Sequence, residues 1–184
     1  VIHLTAIDVF FSRKSTSGNG VSLQIVETVN GYPGEELIPF GGVHLDADEV
    51  SVNDTSPNTS TTFFFPAPVT LSVDKEYAIV IKPDANDPDY RVWISKTGET
   101  DITTQLPITQ DTNAGVLFTS TNQRAWTPYQ DENLKFQMYM YEFTSRAGQV
   151  VMTNTDHEFF DLSLLNGTFS VEEYVFKNKT PNAN

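Results

Sequence analysis

The sequence predicts an all-β fold, an antiparallel, jelly-roll-like β-sandwich of about eight or nine strands. Short β-rich runs alternate with turn signals along the whole chain, and no window of about eleven residues shows the apolar stripe of a helix. The 184 residues include 13 Phe, 7 Tyr and 2 Trp, whose side chains bury large areas, but no Cys. Packing must therefore stabilise the fold, without disulfides or thiolate metal sites.

The first two strands show the period-two alternation of half-buried strands, one within residues 3–12 and the other within residues 21–29. The predicted inward side chains are Ile7, Val9, Phe11, Val21, Leu23 and Ile25. Asn19-Gly20 is predicted to turn the chain between the two strands with positive φ. Residues 30–34 (Asn-Gly-Tyr-Pro-Gly) are predicted to end the second strand.

Prolines and glycines set the limits predicted for the middle strands. Pro39 and the Gly41-Gly42 pair place residues 36–45 at a sheet edge or a bulge, because proline cannot donate to a central ladder. Pro66 and Pro68 are expected to stop the preceding strand, which contains a triplet of phenylalanines.

The later strands are predicted from apolar runs. Residues 77–82 (YAIVIK) are apolar on both faces, which favours the centre of a sheet. Further strands are expected at 90–96 and 115–121, and the longest at 134–143. On that last strand the side chains predicted to share one face are Leu134, Phe136, Met138 and Met140. Trp126 precedes it at a corner and is expected to plug the end of the core.

The chain is predicted to contain one full sandwich module and a remainder. The module spans residues 1–143, and residues 144–184 form a linker and an incomplete β-rich segment of a following domain. Because the chain begins at a valine and ends just after an apolar alternating run, we expect it to belong to a longer polypeptide.

The charge balance disfavours polyanionic partners. With 24 Asp and Glu against 11 Lys and Arg, the net charge is −13, whereas nucleic-acid binding depends on clustered cations that release counterions. No stretch approaches the roughly 20 apolar residues of a membrane span. We therefore expect neither nucleic-acid binding nor membrane insertion.

An ordered series of segments resembles a known module. The segments are VFFSRKS, ETVNGYPG, TTFFFPAPVTL, KEYAIVI, YRVWISKTGE, GVLFTSTN, WTPYQDENLKF and YMYEF. Together they resemble the β-sandwich domain that recurs in large structural proteins of tailed bacteriophages, especially contractile-tailed phages of marine bacteria. The resemblance covers residues 1–143 and implies a place in the virion, near the tail or baseplate, with a structural or host-adsorption role. It supplies no functional residues.

The sequence offers poor material for catalysis, and we predict no catalytic residue and no cofactor. A hydrolase needs a nucleophile beside a base, and the three histidines, His3, His44 and His157, lie in unrelated places without a G-x-S-x-G elbow. Carboxylate pairs for glycoside hydrolysis are plentiful, but exposed, solvated carboxylates in loops explain them far better. The pairs considered are Glu99 with Asp101 and Asp131 with Glu132.

One acidic loop is a candidate calcium site. Asp84, Asn86, Asp87 and Asp89 gather four side-chain oxygen donors within six residues, as a hard cation prefers. Pro88 breaks the order of an EF-hand, and the same composition makes an ordinary turn between strands. Calcium and a plain turn both remain open.

Strand alternation also predicts outward-facing aromatic side chains. If Val92 and Ile94 point inward, Trp93 points outward, and the same alternation turns tyrosines outward on the last strand. The predicted ligand or interface residues are Arg91, Trp93, Tyr139 and Tyr141. Such aromatics stack on a sugar, fill a subunit contact or lie under loops of the same chain.

These observations lead to two hypotheses. The first is a non-enzymatic structural module of a phage virion, which contacts other virion proteins or copies of itself. The alternative is a carbohydrate-binding module for host-surface glycan, with calcium in the acidic loop.

Overall fold

The computed structural model describes residues 1–109 and 115–143, and all of its secondary structure lies within Val1–Glu142, the first of two units into which the chain divides. The all-β prediction is confirmed, because the described residues form twelve strands and one short 3-10 helix, Asp84–Asn86. The predicted β-rich segment at 144–184 lies outside the described residues. In the described part of the chain, no helix is long and apolar enough to cross a membrane.

The strands are numbered in chain order. They are β1 (Ile2–Val9), β2 (Phe11–Arg13), β3 (Val21–Val29), β4 (Tyr32–Leu45), β5 (Thr61–Leu71), β6 (Tyr77–Pro83), β7 (Arg91–Val92), β8 (Ile94–Lys96), β9 (Leu117–Thr119), β10 (Thr127–Tyr129), β11 (Glu132–Leu134) and β12 (Phe136–Met140). The count exceeds the predicted eight or nine because several of these strands have only two or three residues.

Two three-stranded antiparallel sheets form the body of the fold. Their strand orders are β12-β1-β5 and β4-β3-β6, so β1 and β3 are the central strands. Three short ladders, β2-β7, β8-β11 and β9-β10, complete the unit. One buried cluster draws its side chains from both sheets, as expected of a sandwich. Its largest fully buried members are Phe11, Phe63, Leu4, Ile7, Leu23, Ile25, Val9, Val21, Val50 and Val69.

The predicted inward faces of the first two strands are confirmed. All six of the predicted side chains are at most 1% exposed and belong to the core cluster. The intervening Ser22 and Gln24 on β3 are half-buried on the opposite face. Alternation alone therefore identified which side chains of these strands face the core.

The predicted turns were partly wrong. Positive φ occurs at Gly18 and not at Asn19-Gly20, since the segment between β2 and β3 crosses between sheets and does not close a hairpin. Asn30 and Gly31, with φ of 53° and 79°, form a two-residue turn that pairs Val29 directly with Tyr32. Tyr32 onward therefore belongs to β4, which is an edge strand as predicted.

The predicted stop at Pro66 and Pro68 was wrong, because β5 continues through both prolines to Leu71. A proline is tolerated there because β5 lies at a sheet edge, and the pairing with β1 shifts register between Leu4 and Ala6.

The prediction that residues 77–82 lie centrally was also wrong, because β6 is an edge strand. Ile79 and Ile81 pack against the core, whereas Val80 faces the other way and is 9% exposed. Val80 lies beneath residues 122–126, with which it lines a hollow of about 250 Å³. The second apolar face is thus covered by a loop and not by another layer.

The predicted long strand at 134–143 is divided. Leu134 ends β11 and Phe136 begins β12, with only the latter packed against the core cluster, while Met138 and Met140 are 44% and 57% exposed. The longest strand in the described part of the chain is β4, with 14 residues. Trp126 is half-buried in the wall of the hollow beside Val80 and does not close the end of the core.

Candidate functional site

The outer face of the β12-β1-β5 sheet carries the aromatic residues that sequence alternation turns away from the core. Opposite residues of antiparallel neighbours share a face, so the pairings define it. Ala6 on β1 pairs with Phe64 on β5 and with Tyr139 on β12, and Asp8 pairs with Thr62 and Gln137. We call this surface the aromatic face. It consists of Ala6, Asp8, Thr62, Phe64, Gln137 and Tyr139.

Two aromatic side chains flank a small central residue on this face. Phe64 is 71% exposed and Tyr139 39% exposed, whereas Ala6 between them is only 1% exposed. Because neighbouring strands lie about 4.8 Å apart, the backbones that carry the two rings are separated by roughly 10 Å. The aromatic face therefore presents two rings on either side of a shallow floor.

Asp8 holds the polar half of the floor together. Its carboxylate accepts hydrogen bonds from the Thr62 hydroxyl (2.5 Å) and the Tyr139 hydroxyl (3.0 Å), and the residue is 5% exposed. A buried carboxylate needs such donors, since an unpaired one is costly. Asp8 thereby fixes one side chain from each flanking strand.

This bond also sets the orientation of the Tyr139 ring. Tyr139 pairs with Ala6, but its hydroxyl reaches Asp8, two residues further along β1. The ring therefore lies across the central strand, which accounts for the near-complete burial of Ala6. The hydrogen bond to the Asp8 carboxylate raises the pKa of Tyr139, with burial adding to the effect.

Trp93 lies outside the β12-β1-β5 sheet, apart from the two rings. Its backbone N–H donates to Phe10 O (2.9 Å) and its carbonyl accepts from Lys135 N (3.0 Å), so it sits between β7 and β8. Its indole N–H donates to Asn53 O (2.9 Å), and the residue is half-buried. Phe10, to which Trp93 is bonded, is four residues from Ala6, or roughly 13 Å along a strand. Trp93 is therefore separate from the aromatic face.

The other predicted interface residues are exposed. Arg91 begins β7, and Ile94, which was predicted to point inward, is 42% exposed, so the inward alternation of that strand was wrong beyond Val92. Tyr141 is 48% exposed and donates its backbone N–H to His3 O (2.9 Å). Of the four predicted residues, only Tyr139 belongs to the aromatic face.

Sequence reasoning missed Phe64 and Asp8. The signal for Phe64 was present, since a strand with three successive phenylalanines must turn the middle one away from the other two. Asp8 lies between two inward-facing apolar residues, so the sequence could identify it as outward-facing. It could not identify Asp8 as the acceptor for Tyr139, because local sequence patterns do not predict strand order.

The acidic loop, residues 84–89, is hydrogen-bonded to residues 15–19, a contact that we call the clamp. The Asp87 carboxylate accepts from the Ser15 hydroxyl (2.5 Å), the Asn19 amide (2.9 Å) and Asp89 N (2.9 Å). Asp89 in turn accepts from the Thr16 backbone N–H and hydroxyl. The two aspartates thus hold residues 15–19, which carry the chain from β2 to β3.

The remaining members of the predicted calcium loop have different surroundings. Asp84 Oδ2 lies 2.8 Å from His44 Nε2, and this contact raises the pKa of His44. Asn86 is exposed with φ of 52°. In residues 1–109 and 115–143, no group of three or more His, Asp or Glu side chains is arranged to hold a metal ion. Calcium binding by this loop stays a prediction.

The clamp gives the fold an acid-sensitive contact. Hydrogen bonds from Ser15, Asn19 and the Asp89 amide lower the pKa of Asp87 below its usual 3.8. In the folded protein a carboxylate with a lowered pKa binds fewer protons than in the unfolded chain. Its contribution to the stability of the fold is therefore fully present at pH values above the unfolded-state pKa. That contribution to stability is lost as the pH falls through the folded-state pKa.

We therefore expect the urea midpoint to fall as the pH drops from about 5 through the range below 3.8, and expect Asp87→Asn to flatten this dependence. The variant should be less stable than the parent at neutral pH and converge on it in acid. Asp48→Asn, which removes one charge from an exposed side chain, is the matched control. Parallel pH profiles for parent and Asp87→Asn would contradict the clamp.

The other candidate catalytic groups have ordinary structural partners. His3 Nδ1 lies 3.0 Å from the Thr70 hydroxyl, and Glu132 pairs with Lys96 at 2.9 Å. Asp101 accepts from two backbone amides of its own turn, which lower its pKa. His157 lies outside the described residues.

Comparison of the chain with protein-family models, with curated proteins and with solved structures gives no match.

Proposed function

We propose that this chain is a non-enzymatic structural module of a tailed-bacteriophage virion, in the tail or baseplate, and that it contacts neighbouring chains through the aromatic face. The virion assignment rests on the resemblance of the ordered segments between residues 1 and 143. The contact surface rests on a single observation, the 71% exposure of Phe64 beside the ordered ring of Tyr139.

The chemistry of this surface suits a protein partner. Interface centres are enriched in aromatic residues and methionine and depleted in charge. The aromatic face holds one ionisable carboxylate, Asp8, which is buried. Phe64 can enter a partner's pocket at little entropic cost, because an aromatic side chain has only two torsions to fix.

Glycan binding is the second candidate, and the partly exposed ring of Tyr139, held by its bond to Asp8, favours it. An exposed aromatic ring offers a face on which a sugar stacks. A sugar also needs hydrogen-bond donors, and here the Thr62 and Tyr139 hydroxyls already donate to Asp8 and can only accept, which leaves the exposed amide of Gln137 as a donor. The shortage of side-chain donors places a protein partner first.

The variant Phe64→Glu tests the contact. An interface hot spot contributes at least about 2 kcal/mol, so we expect a loss of roughly thirtyfold or more in affinity for neighbouring virion chains. The measurement is the amount of the variant incorporated into particles, in competition with the parent chain. The isolated variant should keep the parental urea midpoint, because the replaced side chain is largely solvated.

Val73→Glu is the matched control, since Val73 is 72% exposed in the turn between β5 and β6, and it should be incorporated normally. Normal incorporation of Phe64→Glu would refute the proposed contact. If, in addition, particles carrying Phe64→Glu failed to adsorb to host polysaccharide, glycan binding would replace it.

A further inference from the structure

A second surface, distinct from the aromatic face, is the open edge of β6. Beside this edge lies a hollow of about 570 Å³, within the usual size range of ligand sites. Its apolar walls combine β6 with β7, β8, β9 and β11. The principal apolar lining residues are Ile79, Ile81, Val92, Ile94, Leu117 and Leu134.

The hydrogen bonds of β6 show which of its backbone groups face the hollow. Thr28 N donates to Glu76 O and Asp84 N donates to Gly20 O, and the register between β3 and β6 is continuous between these points. In an antiparallel ladder, alternate residues turn their N–H and C=O groups to the same side. The even-numbered residues of β6 therefore bond to β3.

It follows that Ile79 and Ile81 direct their backbone N–H and C=O groups away from β3. Among residues 1–109 and 115–143, β6 pairs with β3 alone. An unpaired edge of this kind is a template for another strand, and it recognises extended backbone specifically.

The charges at the hollow indicate the character of the incoming segment. Lys82 and Arg91 line it, and neither forms an ion pair with a described residue. Among the described lining residues the one carboxylate, Glu132, is paired with Lys96. Lys82 and Arg91 therefore remain available to pair with an acidic residue of an incoming segment.

We propose that the open edge of β6 accepts an extended, largely apolar segment of another polypeptide that carries an acidic residue, and that this segment adds to the β4-β3-β6 sheet as a fourth strand. Its backbone bonds to Ile79 and Ile81, its apolar side chains fill the hollow, and its carboxylate meets Lys82 and Arg91. The edge of β6, the hollow and its cations are separate from the aromatic face, so the failure of either contact leaves the other intact.

Amide hydrogen exchange in the whole chain tests this directly. The probe is an acetylated peptide of alternating valine and threonine with an aspartate at each end. Without peptide, the amides of Ile79 and Ile81 should exchange rapidly and those of Ala78 and Val80 slowly. With peptide, Ile79 and Ile81 should become protected by about tenfold or more, while Ala78 and Val80 stay as they were.

Two controls separate backbone pairing from apolar contact. Two further versions of the peptide are N-methylated, one at the valines and the other at the threonines. At least one of them should lose the binding that the unmethylated peptide shows. In the protein, Ile81→Pro removes the edge N–H while Ile81→Ala keeps it, so we expect about tenfold weaker peptide binding by Ile81→Pro than by Ile81→Ala.

Three outcomes would overturn the proposal. They are absence of peptide binding up to about 1 mM, equal binding of both N-methylated peptides and the parent, and slow exchange of Ile79 and Ile81 in the protein without peptide.

Discussion

Phe63→Ala is expected to lower the free energy of unfolding by about 3–5 kcal/mol. Phe63 is 0% exposed in the core cluster, and its ring centroid lies 6.4 Å from that of Phe11. Removing the ring takes away its burial and leaves a cavity that a close-packed core fills only in part. A loss of this size is a large share of the 5–15 kcal/mol typical of a domain. Urea unfolding followed by tryptophan fluorescence measures it.

Phe64→Ala is the matched control for this prediction. It makes the same chemical change at the next residue of the same strand, but on a side chain that is 71% exposed. We expect the free energy of unfolding to change by no more than about 0.5 kcal/mol. Similar losses for the two variants would contradict the assignment of opposite faces of β5, and with it the position of the aromatic face.

Gly20→Ala is expected to destabilise the fold by about 1–3 kcal/mol. A Cβ at this position would lie 2.5 Å from Leu45 O and 2.6 Å from His44 Nε2. His44 can rotate, but the Leu45 carbonyl is backbone in β4, so the ends of β3 and β4 must separate. Gly20 O also accepts from Asp84 N, which connects this point to the acidic loop. The free energy of unfolding measures the effect.

Gly42→Ala provides the comparison for Gly20→Ala. Gly42 lies within the same strand pair, and a Cβ there would meet only the flexible tip of Leu37, at 3.4 Å. We expect a change within about 0.5 kcal/mol. If Gly20→Ala were as stable as Gly42→Ala, the close approach of β3 and β4 at this corner would be wrong.

The parts of the fold that sequence predicts well are those set by local alternation. Ile7, Val9 and Phe11 show a period of two, and all are fully buried. Asn30-Gly31 forms the two-residue turn that Asn-Gly favours, but the same dipeptide at residues 19–20 has no positive φ, because there the chain passes between sheets. Neighbouring residues alone therefore decide the burial alternation but not the turns.

The failures arise where distant segments decide. Residues 77–82 are apolar on both faces, and the sequence does not distinguish a central strand from an edge strand covered by the loop at 122–126. Pro66 and Pro68 end strands only in a sheet interior, and β5 is an edge. Strand order is a long-range property, which local patterns do not contain.

The candidate sites also combine features that neighbouring residues predict with features that depend on distant segments. Alternation predicted that Tyr139 faces outward, and Phe64 follows the same rule. The hydrogen bond from Tyr139 to Asp8 joins residues 131 positions apart, so only the assembled sheet reveals which group holds the Tyr139 hydroxyl. The composition of residues 84–89 predicted oxygen donors correctly, but it did not predict that Asp87 and Asp89 would bond to residues 15–19.

The most direct test of the central claim is a structure of the assembled virion at side-chain resolution, with this chain traced together with its neighbours. We predict that Phe64 and Tyr139 are packed against another polypeptide, with the Phe64 ring enclosed by the partner's side chains. If both rings instead face open solvent in the assembled particle, or stack on host glycan, the proposed contact surface is wrong.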